Sequence, residues 1–431
     1  DLLTSYLKRP LIQRVVISSA VGLSLWALQG FVFGYLEARW LTYVYLTVTF
    51  ALWFKANGSF FKKPKQNLFR FNYLNAGIIV AGVVANLSAV WFIGVKKAEG
   101  LYFCCRGVPD AIYHLALTNQ IVKNFPPYEP GLVGVHVKNY HFLSNLVAAE
   151  FIRVFHLPLA ATQFQFLSLA LAILLGLSAF SLGQILNLKK SFSRWLAVFL
   201  YASGDILFLL FAFTGKGINM NIQMLDDATK LLAGPPRAFS IVLFMSGLSL
   251  FLIWIQKRDV KTSLLTALVF GSLIGFKVYT GIFALIGFAA LGIYFLAKKD
   301  LKMITAPAFL LFTSLALYIP INRGAGGLVY NGLWRFHDFI ASDQIGLFKR
   351  ELARQIFLED KKYLKVAYFE ITAITLYFLT VFGTTLIGIF QTPKSLRLFP
   401  KEFNIFLLSG LATSVVLGSL FIQKTGSTNS V

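Results

Sequence analysis

Charge is what this chain has least of. Only 13% of its 431 residues are charged and 57% are hydrophobic, against roughly 25% and about 45–50% in a soluble domain. So little charge cannot cover the surface of a soluble protein of this length. Acids are the scarcer sign, with 18 Asp and Glu against 40 Lys and Arg, for a formal net charge of +22. Membrane orientation accounts for much of that excess, and no nucleic-acid partner is expected. Cysteine is nearly absent: Cys104 and Cys105 are the only two, and they are adjacent. Neighbouring cysteines rarely bridge and have no metal-ligand spacing, so neither a disulfide framework nor a thiolate metal site is expected. His136, His156 and His337 have no ligand spacing among themselves. The first apolar run has no small-residue cleavage site, which argues against a signal peptide. No repeat relates the two halves. The run Arg323-Gly324-Ala325-Gly326-Gly327 lacks the strand and helix context of a phosphate-binding glycine motif.

What the chain has in quantity is apolar length. It carries 44 Phe, and its mean hydropathy is +0.69. A helix needs about 20 apolar residues to cross the hydrocarbon core. The runs that qualify, two of them short, are Val15–Tyr35, Trp40–Phe54, Tyr73–Val95, Phe164–Leu186, Trp195–Phe213, Ala238–Ile255, Ser263–Phe276, Tyr279–Ala297, Met303–Ile321, Val366–Gln391 and Ile405–Gln423. The expected fold is therefore an all-α polytopic membrane protein of about 11 transmembrane helices, a single transmembrane domain over 1–431. The chain opens on Asp1 and stops at Val431 just past an apolar run, so a fragment lacking a C-terminal region is expected.

Lys and Arg set the orientation. With the N-terminus cytoplasmic, the inside segments are 1–14, 55–72, 187–194, 256–262, 298–302 and 392–404. These short loops hold half of the 40 basic residues and only Asp1, Asp259, Asp300 and Glu402 among the acids. The polar loops 96–163, 214–237 and 322–365 then share the outer face, roofing a cavity there.

The first of these loops is the richest in chemistry. Pro109 followed by Asp110 reads as a helix start, with a helix running to Lys123 and stopping at Pro126-Pro127. Asp110 and His114 share a helix face at i, i+4. From His141 to His156, Leu143, Leu146, Val147, Phe151, Val154 and Phe155 fall near helical spacing, the pattern of a helix lying in the interface. By residue type alone Asp110 is equally an ordinary first-turn acid and His114 a surface polar group. Lys277 interrupts the apolar stretch Ser263–Ala297. A charge there needs a cavity or a partner, unless it snorkels at a hairpin tip. Asp226-Asp227 is an acid pair in the second outer loop, read either as solvated or as an acceptor or metal site. Asp205 falls inside a span, and Glu370 lies one turn into another, where it can face the headgroups.

Asp110 with Tyr113-His114, the Phe125-Pro126-Pro127 turn, Tyr140-His141, Pro236-Arg237 ahead of a span, and Gly275-Phe276-Lys277-Val278-Tyr279 resemble the membrane glycosyltransferases of the GT-C type. The nearest likeness is to the bacterial, mannosyltransferase-like branch often labelled RgtA/B/C/D-like. The likeness covers most of the chain in layout and only these short runs in motif. Many relatives carry an acidic pair where Asp110 stands alone, and the family core begins at the third span, leaving 1–72 as an extra N-terminal hairpin. The resemblance implies a bacterial cell-envelope enzyme of the plasma membrane with its site on the outer face. Its donor would be a sugar on a polyprenyl phosphate, and its acceptor a glycan, lipid or protein. It implies Asp110 as catalytic base with His114 beside it. Tyr140, His141, Arg106, Arg237, Lys277, Asp226 and Asp227 would bind substrate. It firmly implies no cofactor and leaves a divalent metal open.

The chemistry of the residues agrees with that reading. Transfer to a hydroxyl needs a base within reach and a cation for the leaving phosphate, and a prenyl-tailed donor requires a membrane-embedded enzyme. Two other classes compete. A transporter or flippase of a lipid-linked or polar solute would show repeats and mid-membrane polar breaks, and Asp205 is its main support. A surface-polysaccharide ligase or polymerase would lean on loop arginines.

Overall fold

The computed structural model describes residues 3–4, 7, 9–57, 72–104, 108–204, 210, 231–322, 327–342, 345–386, 388 and 396–423. Seven helices among them are long and apolar enough to cross a membrane: α1 (Leu11–Tyr35), α6 (Leu159–Ile185), α8 (Pro235–Lys257), α10 (Val278–Ala297), α11 (Leu301–Ile321), α14 (Tyr363–Leu386) and α15 (Lys401–Leu420). The apolar helices α2 (Leu41–Asn57), α3 (Tyr73–Ser88) and α9 (Val260–Phe276) are shorter. Helix α7 (Lys190–Ala202) covers the first part of the expected span Trp195–Phe213, most of whose remainder lies outside the described residues. Loop helices are α4 (Val108–Lys123), α5 (Leu143–Phe155), α12 (Trp334–Ala341) and α13 (Phe348–Glu359). Two strand pairs complete the description, β1 (Val95–Lys97) with β2 (Gly100–Tyr102) and β3 (Leu328–Tyr330) with β4 (Phe421–Gln423), both antiparallel. This is a helical, polytopic integral membrane protein.

The chain divides into two compact units. The first comprises Asp1–Tyr201, Thr229–Arg323 and Ile405–Gly410, and the second Ala202–Ala228, Gly324–Asn404 and Leu411–Val431. In the first unit, α1 packs against α5, α6, α8 and α9, and α9 packs along α11. Small residues line the contact of α6 with α8. Ser178 and Ser181 of α6 meet Ser246 and Ser249 of α8 at 2.8 Å each. Within a bilayer such pairs contribute about 0.6 kcal/mol apiece. The fully buried rings of Phe251, Phe270, Phe288 and Phe406 form an aromatic core, with Phe251 and Phe406 centred 5.0 Å apart in a tilted arrangement. Offset and edge-on contacts of this kind favour ring over ring beyond simple area burial.

The ends of these helices sort into two sets. At one end Arg9 donates to Gln256 at 3.4 Å, Gln13 to Gln184 at 3.4 Å, Ser263 meets Thr305 at 2.6 Å, and Arg258 pairs with Asp300. At the other the Asn139 amide donates to the Ile321 carbonyl at 2.9 Å, Phe125 packs edge-on to Tyr35 at 5.1 Å, and Leu143 closes on Gly275. A Cβ at Gly275 would occupy the space of the Leu143 side chain, so glycine there lets α5 seat against the end of α9.

In the second unit, Phe336, Phe339 and Ile340 of α12 bury against Ala373 of α14 with Leu210 and Ile345. Arg354 of α13 grips Glu351 at 2.6 Å and reaches Glu370 of α14 at 3.2 Å, and Glu370 meets His337 of α12 at 2.7 Å. Glu370 is therefore an internal tie, not a headgroup-facing acid. Burial pushes the Glu351 carboxyl up, but the hydrogen bonds from Arg354 and Gln355 outweigh it and hold it below its ordinary value.

One local expectation is refined and one is corrected. In helix α5 Leu143 through Glu150 are all buried, Ser144, Asn145 and Glu150 included. The polar side chains Asn145 and Glu150 of α5 find partners inside the protein. Cys104 is disulfide-bonded. The chain's one other cysteine, Cys105, lies outside the described residues.

Candidate functional site

The site grows from the first turn of α4. Pro109 suits a helix start because its missing N–H would have no partner there, and Asp110 follows in the first turn, exposed. One turn on, Tyr113 and His114 point toward the segment that returns from α4 to α5. Tyr113 donates to Glu129 Oε2 at 3.4 Å. Its ring lies 5.3 Å from Tyr140, and the Tyr140 ring stacks on His141 at 4.8 Å. His114 is centred 6.2 Å from Tyr140.

Asn145 of α5 fixes His114. Its amide donates to the His114 carbonyl at 3.0 Å and to Thr118 Oγ1 at 2.9 Å. That leaves its Oδ1 to accept from His114 Nδ1 at 3.3 Å, which selects the tautomer with the proton on Nδ1 and the lone pair on Nε2. Thr118 in turn donates to Gln163 at 3.1 Å. Gln163 sits in a π-helical stretch of α6, Thr162–Phe166, and such local widenings often occur at functional positions.

Lys277 closes the other side. It stands in extended conformation (φ −153°, ψ 116°) between α9 and α10, half-buried, with its ammonium 5.7 Å from the centre of the Tyr279 ring. Its charge acts on both imidazoles. Burial, opposed by the Asn145 hydrogen bond and aided by Lys277, pushes His114 down to about 4. Burial, Lys277 and His114 push His141 well below the ordinary histidine value. Both rings are neutral at pH 7. Burial and the Glu129 carboxylate push the Tyr113 phenol up; burial, Tyr113, Asp110 and Glu129 do the same to Tyr140. Tyr140 thus packs on the neutral imidazoles of His114 and His141 and feels the Asp110 and Glu129 carboxylates.

Arg237 enters from the first turn of α8. Its carbonyl accepts from Ser240 at 2.9 Å, and Thr280, three residues past Lys277, donates to Ser240 Oγ at 3.3 Å. Arg237 and Lys277 therefore occupy the same end of the unit. Phe239 stacks on Phe276 at 5.6 Å and also lines an apolar cleft of about 330 Å³, open to the outside. The cleft's other walls include Gly22 and Leu23 of α1, Phe151 of α5 and Leu171 of α6.

Of the residues singled out in the sequence, Asp110, His114, Tyr140, His141 and Lys277 come together, and Arg237 shares their end. Arg106, Asp205, Asp226 and Asp227 lie outside the described residues. Sequence reading missed Glu129, which supplies a second carboxylate. Its signal was the turn-rich run Phe125-Pro126-Pro127-Tyr128-Glu129-Pro130, which folds the chain back onto α4. It also missed Glu150, fully buried between Arg39 and Arg153; a glutamate amid the apolar positions of α5 was the visible sign. No protein-family model, no curated protein and no solved structure matches the chain.

The depressed His114 value has a measurable consequence. Below pH 6.5 an unfolded chain protonates this histidine, while the folded protein refuses the proton until about pH 4. The unfolded state binds more protons in that window, so stability is fully present above it and falls as pH drops through it, by about 3 kcal/mol. Thermal melting between neutral pH and about pH 4 is expected to show a steeper acid loss for the wild type than for His114→Gln. Equal slopes would mean that His114 is not held neutral by its surroundings.

Proposed function

We propose that this protein is an integral-membrane glycosyltransferase that moves a sugar from a polyprenyl-phosphate donor to an acceptor hydroxyl at the outer membrane face. One observation carries the reading. Asp110, Glu129, Tyr113, His114, Tyr140, His141 and Lys277 converge at one end of the first unit, and Phe239 links that end to an open apolar cleft. A donor with a charged head and a prenyl tail needs that combination, polar groups above and an apolar channel below.

The roles follow from the chemistry. The acceptor hydroxyl gives its proton to the Asp110 carboxylate as its oxygen bonds the anomeric carbon. The bond from that carbon to the phosphate oxygen breaks, and the polyprenyl phosphate leaves with the electron pair. A cation beside a developing phosphate charge is worth more in a partly dry site than in water, and Lys277 supplies it, with Arg237 at the same end. Tyr140, His141 and the His114 Nε2 lone pair offer ring faces and hydrogen bonds to sugar hydroxyls. The outer-face assignment draws on the charge count: the opposite end of the unit carries Arg9, Arg258 and the basic turns 187–194, 256–262 and 298–302, the signature of a cytoplasmic side.

The test is direct. Purified protein in lipid nanodiscs is incubated with short-chain polyprenyl-phosphate sugars, and release of free polyprenyl phosphate is followed by mass spectrometry. Turnover that depends on an added acceptor supports the reading; absence of both turnover and binding across hexosyl and pentosyl donors overturns it. The cleft has its own check. Gly22 has open space where a side chain would project, so Gly22→Leu narrows the cleft at little cost to a helix that favours Leu over Gly. The KM for the prenyl donor is expected to rise several-fold with kcat near wild type. An unchanged KM would remove the prenyl tail from this cleft.

A further inference from the structure

The segment between α4 and α5 folds as a closed hairpin with an unusual tip. The Glu129 amide donates to the Val135 carbonyl at 2.7 Å, Leu132 to Glu129 at 3.1 Å, and Val137 to Pro127 at 2.9 Å. The Tyr128 and His136 rings stack across its neck at 4.4 Å. Gly134 takes φ +76°, a left-handed conformation that side chains rarely adopt, so the tip is a built turn. What it presents is apolar. Val133 is fully exposed at 103%, and Leu132 and Val135 are exposed at 57% and 46%. Aqueous turns are made of Gly, Pro, Asn, Asp and Ser; this one offers branched aliphatics.

Its surroundings mark a depth. Phe125, just before the hairpin, packs on Phe31 at 6.2 Å and on Tyr35 at 5.1 Å, at the end of the membrane-spanning helix α1. Tyr35, Leu36 and Trp40 around that end are exposed, and exposed Tyr and Trp at a helix end form the aromatic belt of the headgroup layer. Lys123 and Lys138 flank the hairpin and are exposed. Apolar side chains with neighbouring cations are the pattern of an element that enters the headgroup–acyl boundary.

We propose that the Leu132–Val135 tip inserts into the lipid layer beside α1 as a membrane contact of the loop, with Lys123 and Lys138 at the phosphate level. The contact is with bilayer lipid and stands whatever reaction the loop serves. It also reaches the site, because Glu129 at the hairpin's base accepts the Tyr113 hydrogen bond. Lipid holds the tip, and the stapled hairpin holds Glu129 over α4.

A nitroxide probe reads this directly. Val133→Cys is spin-labelled in lipid nanodiscs, and its collisions with oxygen and with a water-soluble nickel chelate are compared. Cys104 is disulfide-bonded, and wild type treated identically gives the background. Oxygen accessibility is expected to exceed nickel accessibility several-fold at position 133 and to be reversed in Lys138→Cys. Strong nickel accessibility at 133 would place the tip in water. Shielding from both reagents would place it against protein, either another copy or a different partner. Either result overturns the proposal. Leu132→Cys repeats the measurement on the neighbouring exposed side chain should the first variant fold poorly.

Discussion

Replacing Asp110 with asparagine is expected to lower the rate of sugar transfer by about 10²–10⁴-fold, the usual loss when a general base is removed, and to leave the fold standing. Both halves follow from where the residue sits. Asp110 is exposed in the first turn of α4, so its structural work is limited to the dipole of that turn, about 0.3–1 kcal/mol. Asparagine keeps the size and the hydrogen-bonding oxygen and loses only the negative charge. The same carboxylate acts on Tyr140 with Glu129, which places it among the polar side chains and not in bulk loop. The measurement pairs a thermal melt with the polyprenyl-phosphate sugar assay. An Asp110→Asn protein with wild-type melting and wild-type turnover would exclude Asp110 as the base. It would move attention to Glu129, whose carboxylate holds the Tyr113 hydroxyl.

The largest effect on stability is expected at Glu150. Its side chain is wholly buried, paired with Arg39 through Nε at 3.1 Å and through Nη2, and with Arg153 at 2.5 Å. Thr42 donates to its other side at 3.4 Å and to Gln29 at 2.9 Å. Arg39 also donates to the Ile121 carbonyl at 2.7 Å, near the end of α4. One carboxylate thus ties α5 to the α1–α2 connection and, through Arg39, to α4. Glu150→Ala leaves two largely buried guanidinium groups without their carboxylate, a loss of about 3 kcal/mol, the low end for a buried pair because both arginines keep some solvent contact. The melting midpoint should fall sharply, and less so when Arg39→Met accompanies it, because the second change removes one of the stranded charges. A double-mutant cycle measures that coupling. A Glu150→Ala protein that melts with wild type would mean the triad is replaced by water at no cost. Turnover is expected to fall only through loss of folded protein, which separates this residue from Asp110.

Much of this could be read along the chain because it is local. The spans follow from runs of apolar residues long enough for a bilayer, and α4 begins and ends near Pro109 and Pro126 because proline lacks the N–H a helix interior needs. Lys277 stands out as the one charge in a long apolar stretch. The Asp110 and His114 spacing was visible too, although an i, i+4 pair does not say which partner is buried: His114 is, and Asp110 is not. Helix α5 was legible as a helix, but the burial of its polar side chains was not. Its apolar positions fall at helical spacing, but burial of the remaining face depends on Asn145 meeting His114 and Thr118, and Glu150 meeting two arginines, all from segments distant in sequence. Spacing rules likewise set the adjacent cysteines aside, while Cys104 is disulfide-bonded.

The sequence by itself determined a membrane protein of apolar helices with basic short loops and a polar first loop, since hydrophobic length and charge act residue by residue. Only the tertiary structure decided which polar groups meet. Glu129 reaches Tyr113 because the proline-rich turn folds the loop back, and His114 is neutral because α5 buries it beside Lys277. Glu150 is tolerated because Arg39 arrives from more than a hundred positions away. Desolvation and charge pairing depend on neighbours in space, and the order of residues along the chain does not record them.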